Sequence, residues 1–255
     1  YYLCDKRGIL VVQDMAAGGG DRNLRYGFYR REFKDMVDYL YSFPSIVMWV
    51  PFNEGWGQPR AEKTRQTYLW LRDYDPTRLL DGPSGWNEYL GGRVNRRDFK
   101  GTTQVPSDPS EEYADAIDIH EYPGPAMWPV NPSRVSFLGE FGGTYAHVAG
   151  HTWLDQPTTV SNQIARGEAA RLRPSAEGWK EKLASVYEGI TDKLVPLVRE
   201  GLGGSIYTQA QDVGIECGGF ITYDRKVPKF DPEFLRKVHQ RVYEAFDEAV
   251  GKGVK

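Results

Sequence analysis

Pro44-Ser45-Ile46-Val47-Met48-Trp49-Val50-Pro51-Phe52-Asn53-Glu54 is the stretch that decides how this chain is read. Five consecutive apolar residues, Ile46 to Val50, carry no polar face, so the segment reads as a short strand buried on both sides, as in a parallel sheet. Pro44 stops whatever helix precedes it, because proline cannot donate into a helical ladder. The run ends at Pro51, and a carboxylate, Glu54, follows just past the strand.

Working upstream, Phe33, Met36, Val37, Leu40 and Tyr41 recur at i, i+3, i+4, i+7 and i+8, the apolar stripe of an amphipathic helix. Residues 16–27 are Gly-rich and polar and read as a loop. Ile9 to Val12 reads as another strand buried on both faces, with Asp14 at its carboxyl end. The opening Tyr1-Tyr2-Leu3-Cys4-Asp5-Lys6-Arg7-Gly8 reads as the last turns of a helix closed by glycine. A chain that opens inside a helix is expected to be part of something longer.

Downstream, Ala61, Thr64, Tyr68 and Leu71 mark a helix ended by Asp75-Pro76, and Arg78 to Asp81 is a short strand. A loop over 82–115, rich in Gly, Pro and Arg, follows. Ala116 to His120 is a strand leading to Glu121-Tyr122-Pro123. Val135 to Gly139 is a strand leading to Glu140. One long helix is expected from Trp179 through Leu183, Val186, Tyr187, Ile190, Leu194, Leu197 and Val198 to Gly201. Ser205 to Thr208 is a strand, and Asp231-Pro232-Glu233 opens the last helix with a cap and a first-turn proline. Trp49 and Trp179 read as core.

Strands alternating with helices give a parallel sheet with helices outside. The irregular stretches follow strand ends, the asymmetry of a (β/α)8 barrel whose working loops lie on its carboxyl face. An open doubly wound sheet is the runner-up. No Gly-x-Gly-x-x-Gly opens a helix after a strand, and Gly18-Gly19-Gly20 has the wrong spacing. At 255 residues the chain has the length of a whole barrel. Only six strands are legible, near 9, 46, 78, 116, 135 and 205, because long loops consume the rest. The expected architecture is therefore α/β, of the (β/α)8 TIM-barrel type but incomplete, with residues 1–255 forming part of one catalytic domain and two sheet edges left open.

Composition removes several classes. With 32 Lys+Arg against 35 Asp+Glu the net charge is −3, which speaks against nucleic acid as a partner. At 40% hydrophobic and 13% aromatic the chain is no disordered polymer. No apolar run approaches the roughly 18 residues of a membrane span. Cys4 and Cys217 are too few for a disulfide framework or a cysteine-only zinc site and read as buried free thiols. The four histidines make no His-Glu-x-x-His pattern, and Gly150 and Thr152 put His147 and His151 in a loop, so no metal is expected. Nothing calls for a cofactor, and the compartment stays open.

The alternation places Asp14, Glu54, Asp81, Glu121 and Glu140 just past strand ends, where a barrel gathers its working residues. Two carboxylates in one pocket are what glycosidic cleavage needs: one protonates the leaving oxygen, and the other attacks the anomeric carbon or activates water. Glu54 and Glu140 are the best placed, each after a convincing strand. Asp81 and Glu121 read as structural, and Asp14 as either a substrate contact or a loop cap.

On these residues the chain resembles glycoside hydrolase family 2. Pro44 to Trp49 leading to Asn53-Glu54 resembles its acid/base signature, and Ser136-Phe137-Leu138-Gly139-Glu140-Phe141-Gly142 its nucleophile segment. Residues 206–228 resemble the end of its barrel, and Leu3 to Val12 its second helix and third strand. The resemblance implies a retaining β-glycosidase whose barrel strands three to eight are present here, with two earlier strands and β-sandwich domains expected upstream. It makes Glu54 the general acid/base and Glu140 the nucleophile, a pair about 5–5.5 Å apart in retaining enzymes. Glu54 should hold its proton near neutrality, and Glu140 should be ionised and surrounded by donors. Asn53 matches the residue that contacts the sugar hydroxyl beside the anomeric carbon, and Tyr122 the tyrosine that holds the nucleophile. His120 is either a further sugar contact or scaffold.

Trp56, Trp86, Trp128 and Trp153 fall in loops after strands and are stacking candidates for a sugar ring, or loop packing. The basic run Arg93, Arg96, Arg97, Lys100 reads as a solvated loop or as a reader of an anionic sugar. The Asn-x-Lys motif of the family's glucuronidases is not evident after the last strand, which points to a neutral sugar, galactose first. Tyr207-Thr208-Gln209 stands where the family often carries a tryptophan beneath the sugar. The expected substrate is a terminal β-linked glycoside or oligosaccharide. A β-glucuronidase, a β-mannosidase and a non-catalytic carbohydrate-binding fragment are the alternatives.

Overall fold

The structure, a computed structural model, describes residues 1–16, 26–54, 58–59, 61–85, 87–89, 92–94, 113–153 and 177–253. The chain falls into two compact units, Tyr1–Ile119 with Trp128–Phe137, and His120–Met127 with Leu138–Lys255.

In the first unit, α1 (Tyr2–Arg7) closes at Gly8 and leads to β1 (Val11–Asp14). Then come α2 (Tyr26–Leu40), β2 (Ile46–Val50), α3 (Ala61–Tyr74) and β3 (Leu79–Leu80). The strands form one parallel sheet in the order β1-β2-β3. Register sets Val12 opposite Met48, Asp14 opposite Val50 and Trp49 opposite Leu80, so the carboxyl ends align. The expected stripe of α2 is buried at Phe33, Val37 and Leu40. It packs on Ile46, Trp49, Phe52, Tyr68, Leu71 and Leu80. Trp49 is fully buried and donates its indole N–H to Asp75 at 2.9 Å.

Two expectations change here. Ile9 and Leu10 are exposed, and Val11 and Val12 only half-buried, because among the described residues β2 is the sole strand neighbour of β1. Within 82–115, expected to be loop, an antiparallel hairpin pairs β4 (Asn87–Tyr89) with β5 (Gly92–Val94). Cys4 is half-buried rather than buried, and Cys217 is buried; both thiols are free.

β6 (Ala116–Glu121) and β7 (Val135–Gly142) start in the first unit and end in the second. They form a second parallel sheet, order β6-β7-β8, with β8 (Leu202–Thr208). The single helix expected from 179 to 198 is two: α4 (Trp179–Thr191) and α5 (Leu194–Glu200). Pro196 explains the break. It has no N–H for the carbonyl of Asp192, so the ladder stops, and a new helix starts with the proline in its first turn. α6 (Pro232–Gly253) opens as the sequence predicts, with Asp231 Oδ1 accepting the Phe234 N–H at 2.9 Å. This unit's core is aromatic: Tyr187 packs edge-on against Tyr207 and Phe220, and Tyr207 and Phe220 stack at 4.7 Å. Trp179 packs half-buried against the same cluster. No helix among the described residues is long and apolar enough to cross a membrane.

Candidate active site

In the first unit, the chain leaving β2 is held by both backbone and side chains. Phe52 is buried and stacks on Tyr29 at 5.3 Å, which anchors the turn. Asn53 and Ser84 form a parallel bridge: Ser84 N–H donates to Phe52 O at 2.9 Å, and Glu54 N–H to Ser84 O at 3.0 Å. The Ser84 hydroxyl donates to Asn53 Oδ1 at 2.7 Å, so the amide N–H groups of Asn53 remain its donors to other partners. Glu54 is half-buried, and its φ of 47° lies in the left-handed region, uncommon for a residue with a Cβ. Such strain persists where the surroundings over-determine it and concentrates at functional sites.

Asp14 ends β1 with an exposed side chain. Asp81 is buried, and its N–H donates to Trp49 O at 3.0 Å, continuing the sheet. Trp128 is 5% exposed and donates its indole N–H to Asp118 O at 3.1 Å, while Asp118 Oδ2 receives the Gly85 N–H at 2.8 Å. Its ring therefore packs inside the first unit. Trp56, Trp86, Arg96, Arg97 and Lys100 lie outside the described residues, as does the side chain of Arg93.

In the second unit, Glu140 lies within β7, which continues to Gly142, rather than after its end. Tyr122 donates its hydroxyl to Glu140 Oε2 at 2.5 Å, and His120 Nδ1 lies 3.4 Å from the same oxygen. Burial, followed by the neighbouring Glu140 charge, raises the Tyr122 pKa far above that of a free phenol. Tyr122 therefore stays protonated and serves as a donor, and Glu140 as its acceptor. The Thr208 side chain also hydrogen-bonds the Tyr122 phenol.

Sequence reasoning missed Tyr145, whose phenol pKa is raised by burial and then by Glu216, Cys217 and Glu140. It also missed the pairing of Glu216 with Gln209, 3.3 Å from Nε2 to Oε2. A signal was present in Gly142-Gly143, directly after the strand. A Cβ on Gly142 would stand 2.3 Å from the Tyr207 ring, and one on Gly143 2.9 Å from Tyr145. Tyr207 turns into the aromatic core, where its hydroxyl donates to Gly218 O at 3.0 Å. His147 and His151 lie in a non-helical segment, as their glycine-flanked sequence predicts.

No family model matches the chain, and no curated protein does. Solved structures do. An FMN-binding β-glucuronidase from Faecalibacterium prausnitzii L2-6 superposes with a TM-score of 0.51 at 17% identity, over 92% of this chain and 35% of that one. A β-glucuronidase from an uncultured Clostridium sp. gives 0.52 at 14% identity, over 94% and 41%. A β-D-glucuronidase of Dictyoglomus thermophilum gives 0.50 at 14%, over 96% and 42%. The chain shares its fold with part of these proteins and spans well under half the length of each.

Proposed function

We propose that this chain is part of the catalytic barrel of a retaining β-glycosidase of the family 2 type, supplying barrel strands three to eight. The observation that carries the reading is the setting of Glu140: a carboxylate on a strand of a parallel sheet, hydrogen-bonded by an obligate donor, Tyr122, with His120 beside it. A nucleophile needs that setting, because donors favour the ionised form. In the first half-reaction Glu140 attacks the anomeric carbon, the glycosidic C–O bond breaks, and Glu54 delivers its proton to the leaving oxygen. In the second, Glu54 takes a proton from water, the water attacks the anomeric carbon, and Glu140 is released. Asn53 donates to the neighbouring sugar hydroxyl, with His120 and Asp14 as further contacts.

The first substrate to test is a terminal β-galactoside, in keeping with the absent Asn-x-Lys motif. A β-glucuronide is the second reading, favoured by the named activity of the proteins that share the fold. A panel of aryl β-galactoside, β-glucuronide and β-mannoside separates them. Glu140→Gln is expected to reduce turnover to background, and full activity in that variant would overturn the assignment. Glu54→Gln should cost about 10²–10⁴-fold with a poor leaving group. The loss should be far smaller in the first step with an activated aryl group, which needs no proton. Binding of glycosides without turnover by the full protein would instead indicate a carbohydrate-binding module.

A further inference from the structure

In the second unit, the connection after β7 reaches His151-Thr152-Trp153, and the connection after β8 carries Gly214 and Thr222-Tyr223-Asp224. The Trp153 side chain is 63% exposed, although an indole ordinarily gains by burial. One edge of its ring faces Gly214, whose φ of +58° favours glycine; a Cβ there would stand 3.4 Å from Trp153 Cε3, ordinary van der Waals contact. Tyr223, 43% exposed, sets its ring centroid 6.0 Å from that of Trp153, with the planes 44° apart. The two rings thus form an angled apolar surface open to water.

Tyr223 is followed in the chain by Asp224, an acceptor bonded to His151. Asp224 receives His151 Nδ1 on Oδ2 at 2.8 Å, and the Thr222 hydroxyl and the Lys226 N–H on Oδ1 at 2.8 and 3.2 Å. These donors, His151 foremost, hold its pKa at about 2, so it is a permanent carboxylate. A pyranose matches this chemistry, with an apolar C–H face for the rings and a rim of hydroxyl donors for the carboxylate.

We propose that Trp153 and Tyr223, with Asp224 and His151 at their edge, form a second sugar-binding site for a neutral hexopyranose unit of a longer β-linked glycan. The ligand class rests on the β-glycosidase reading; the site itself rests on the exposed rings and their fixed neighbours.

The test is calorimetric titration of β-1,4-linked galactotetraose, cellotetraose and mannotetraose into the Glu140→Gln protein, so that no ligand is consumed. At least one tetraose should bind, about tenfold more weakly in the added presence of Trp153→Ala and with partial recovery in Trp153→Phe. In the otherwise wild-type protein, Trp153→Ala should leave hydrolysis of a small aryl glycoside within about twofold, well below the tenfold step worth 1.36 kcal/mol. Binding that does not depend on Trp153, or no binding of any tetraose, overturns the proposal. Trp153-dependent binding by a protein that hydrolyses no glycoside would sink the catalytic reading and leave this one standing.

Discussion

Each unit buries an aspartate, and the two are held in opposite ways. Asp75 in the first unit has a fully buried side chain, yet its pKa is lowered. Burial pushes it up, but the donors outweigh burial: Trp49 Nε1 at 2.9 Å and Arg78 at 3.1 Å on Oδ2, and the Thr77 N–H and hydroxyl at 3.1 and 2.5 Å on Oδ1. Asp212 in the second unit is as buried and is paired with Lys229 at 2.7 Å, yet its pKa is raised, because desolvation exceeds the attraction of the lysine. Its Oδ1 receives Lys229 and the Gly219 N–H, while Oδ2 has no hydrogen-bond partner among the described residues. Lys229, bonded also to Cys217 O at 2.8 Å, has its pKa lowered by the same burial. The number of donors on the carboxylate, more than the presence of a countercharge, decides whether a buried acid is comfortable.

The comparison can be broken most directly by deleting partners. Lys229→Met should cost about 3–5 kcal/mol in urea unfolding, because it strands a buried carboxylate. The double variant Lys229→Met/Asp212→Leu should recover that loss and can exceed wild-type stability by about 1–4 kcal/mol. Asp75→Leu should cost about as much, but here the double variant Asp75→Leu/Arg78→Met should not recover, since the Trp49 and Thr77 donors would stay buried without their acceptor. Equal recovery in both doubles would refute the donor-count account.

A smaller effect is expected at Glu140, which shares the donor logic of Asp75 with a shorter list of donors. Tyr122→Phe removes one hydrogen bond to a charged group, worth about 1.5–3 kcal/mol, so kcat/KM should fall about 10–100-fold without loss of the fold. An unchanged kcat/KM would detach Tyr122 from the chemistry. The smallest effect is a pH slope. Asp75, depressed below its ordinary 3.8, contributes stability above that pH that is lost as the pH falls through its folded value. Asp212, raised above 3.8, has the opposite sign: the folded state takes up its proton first, and stability gains as the pH falls toward 3.8. Urea midpoints from about pH 6 to about pH 3 should therefore decline less in Asp75→Asn than in wild type, and more in Asp212→Asn.

Much of the fold was legible because strand and helix periods are local. The apolar run Ile46–Val50 and the stripe Phe33, Val37, Leu40 needed no tertiary information to be read correctly. Errors arose where one residue outweighed the pattern, as when Pro196 split a helix that the apolar spacing continues through. They also arose where burial depends on neighbours: the run Ile9–Val12 looks as buried as Ile46–Val50, but among the described residues β1 has one strand partner and β2 has two. Asn53 and Glu54 in the first unit, and Tyr122 and Glu140 in the second, could be named as candidates because each sits on a strand or just past one. Tyr145, Glu216 and Thr208 could not, because side chains from three separate segments meet there only after folding.

By itself, the sequence determined the alternation of strands and helices and which carboxylates stand on or near the strands. Those follow from short-range sterics and hydrophobic period. The tertiary structure alone decided the ionisation and strain of the groups involved: that Tyr122 donates to Glu140, that Glu54 adopts a left-handed backbone, and that two equally buried aspartates shift in opposite directions. Solvation and hydrogen-bond count are properties of a surrounding shell, and that shell is drawn from residues distant in the chain.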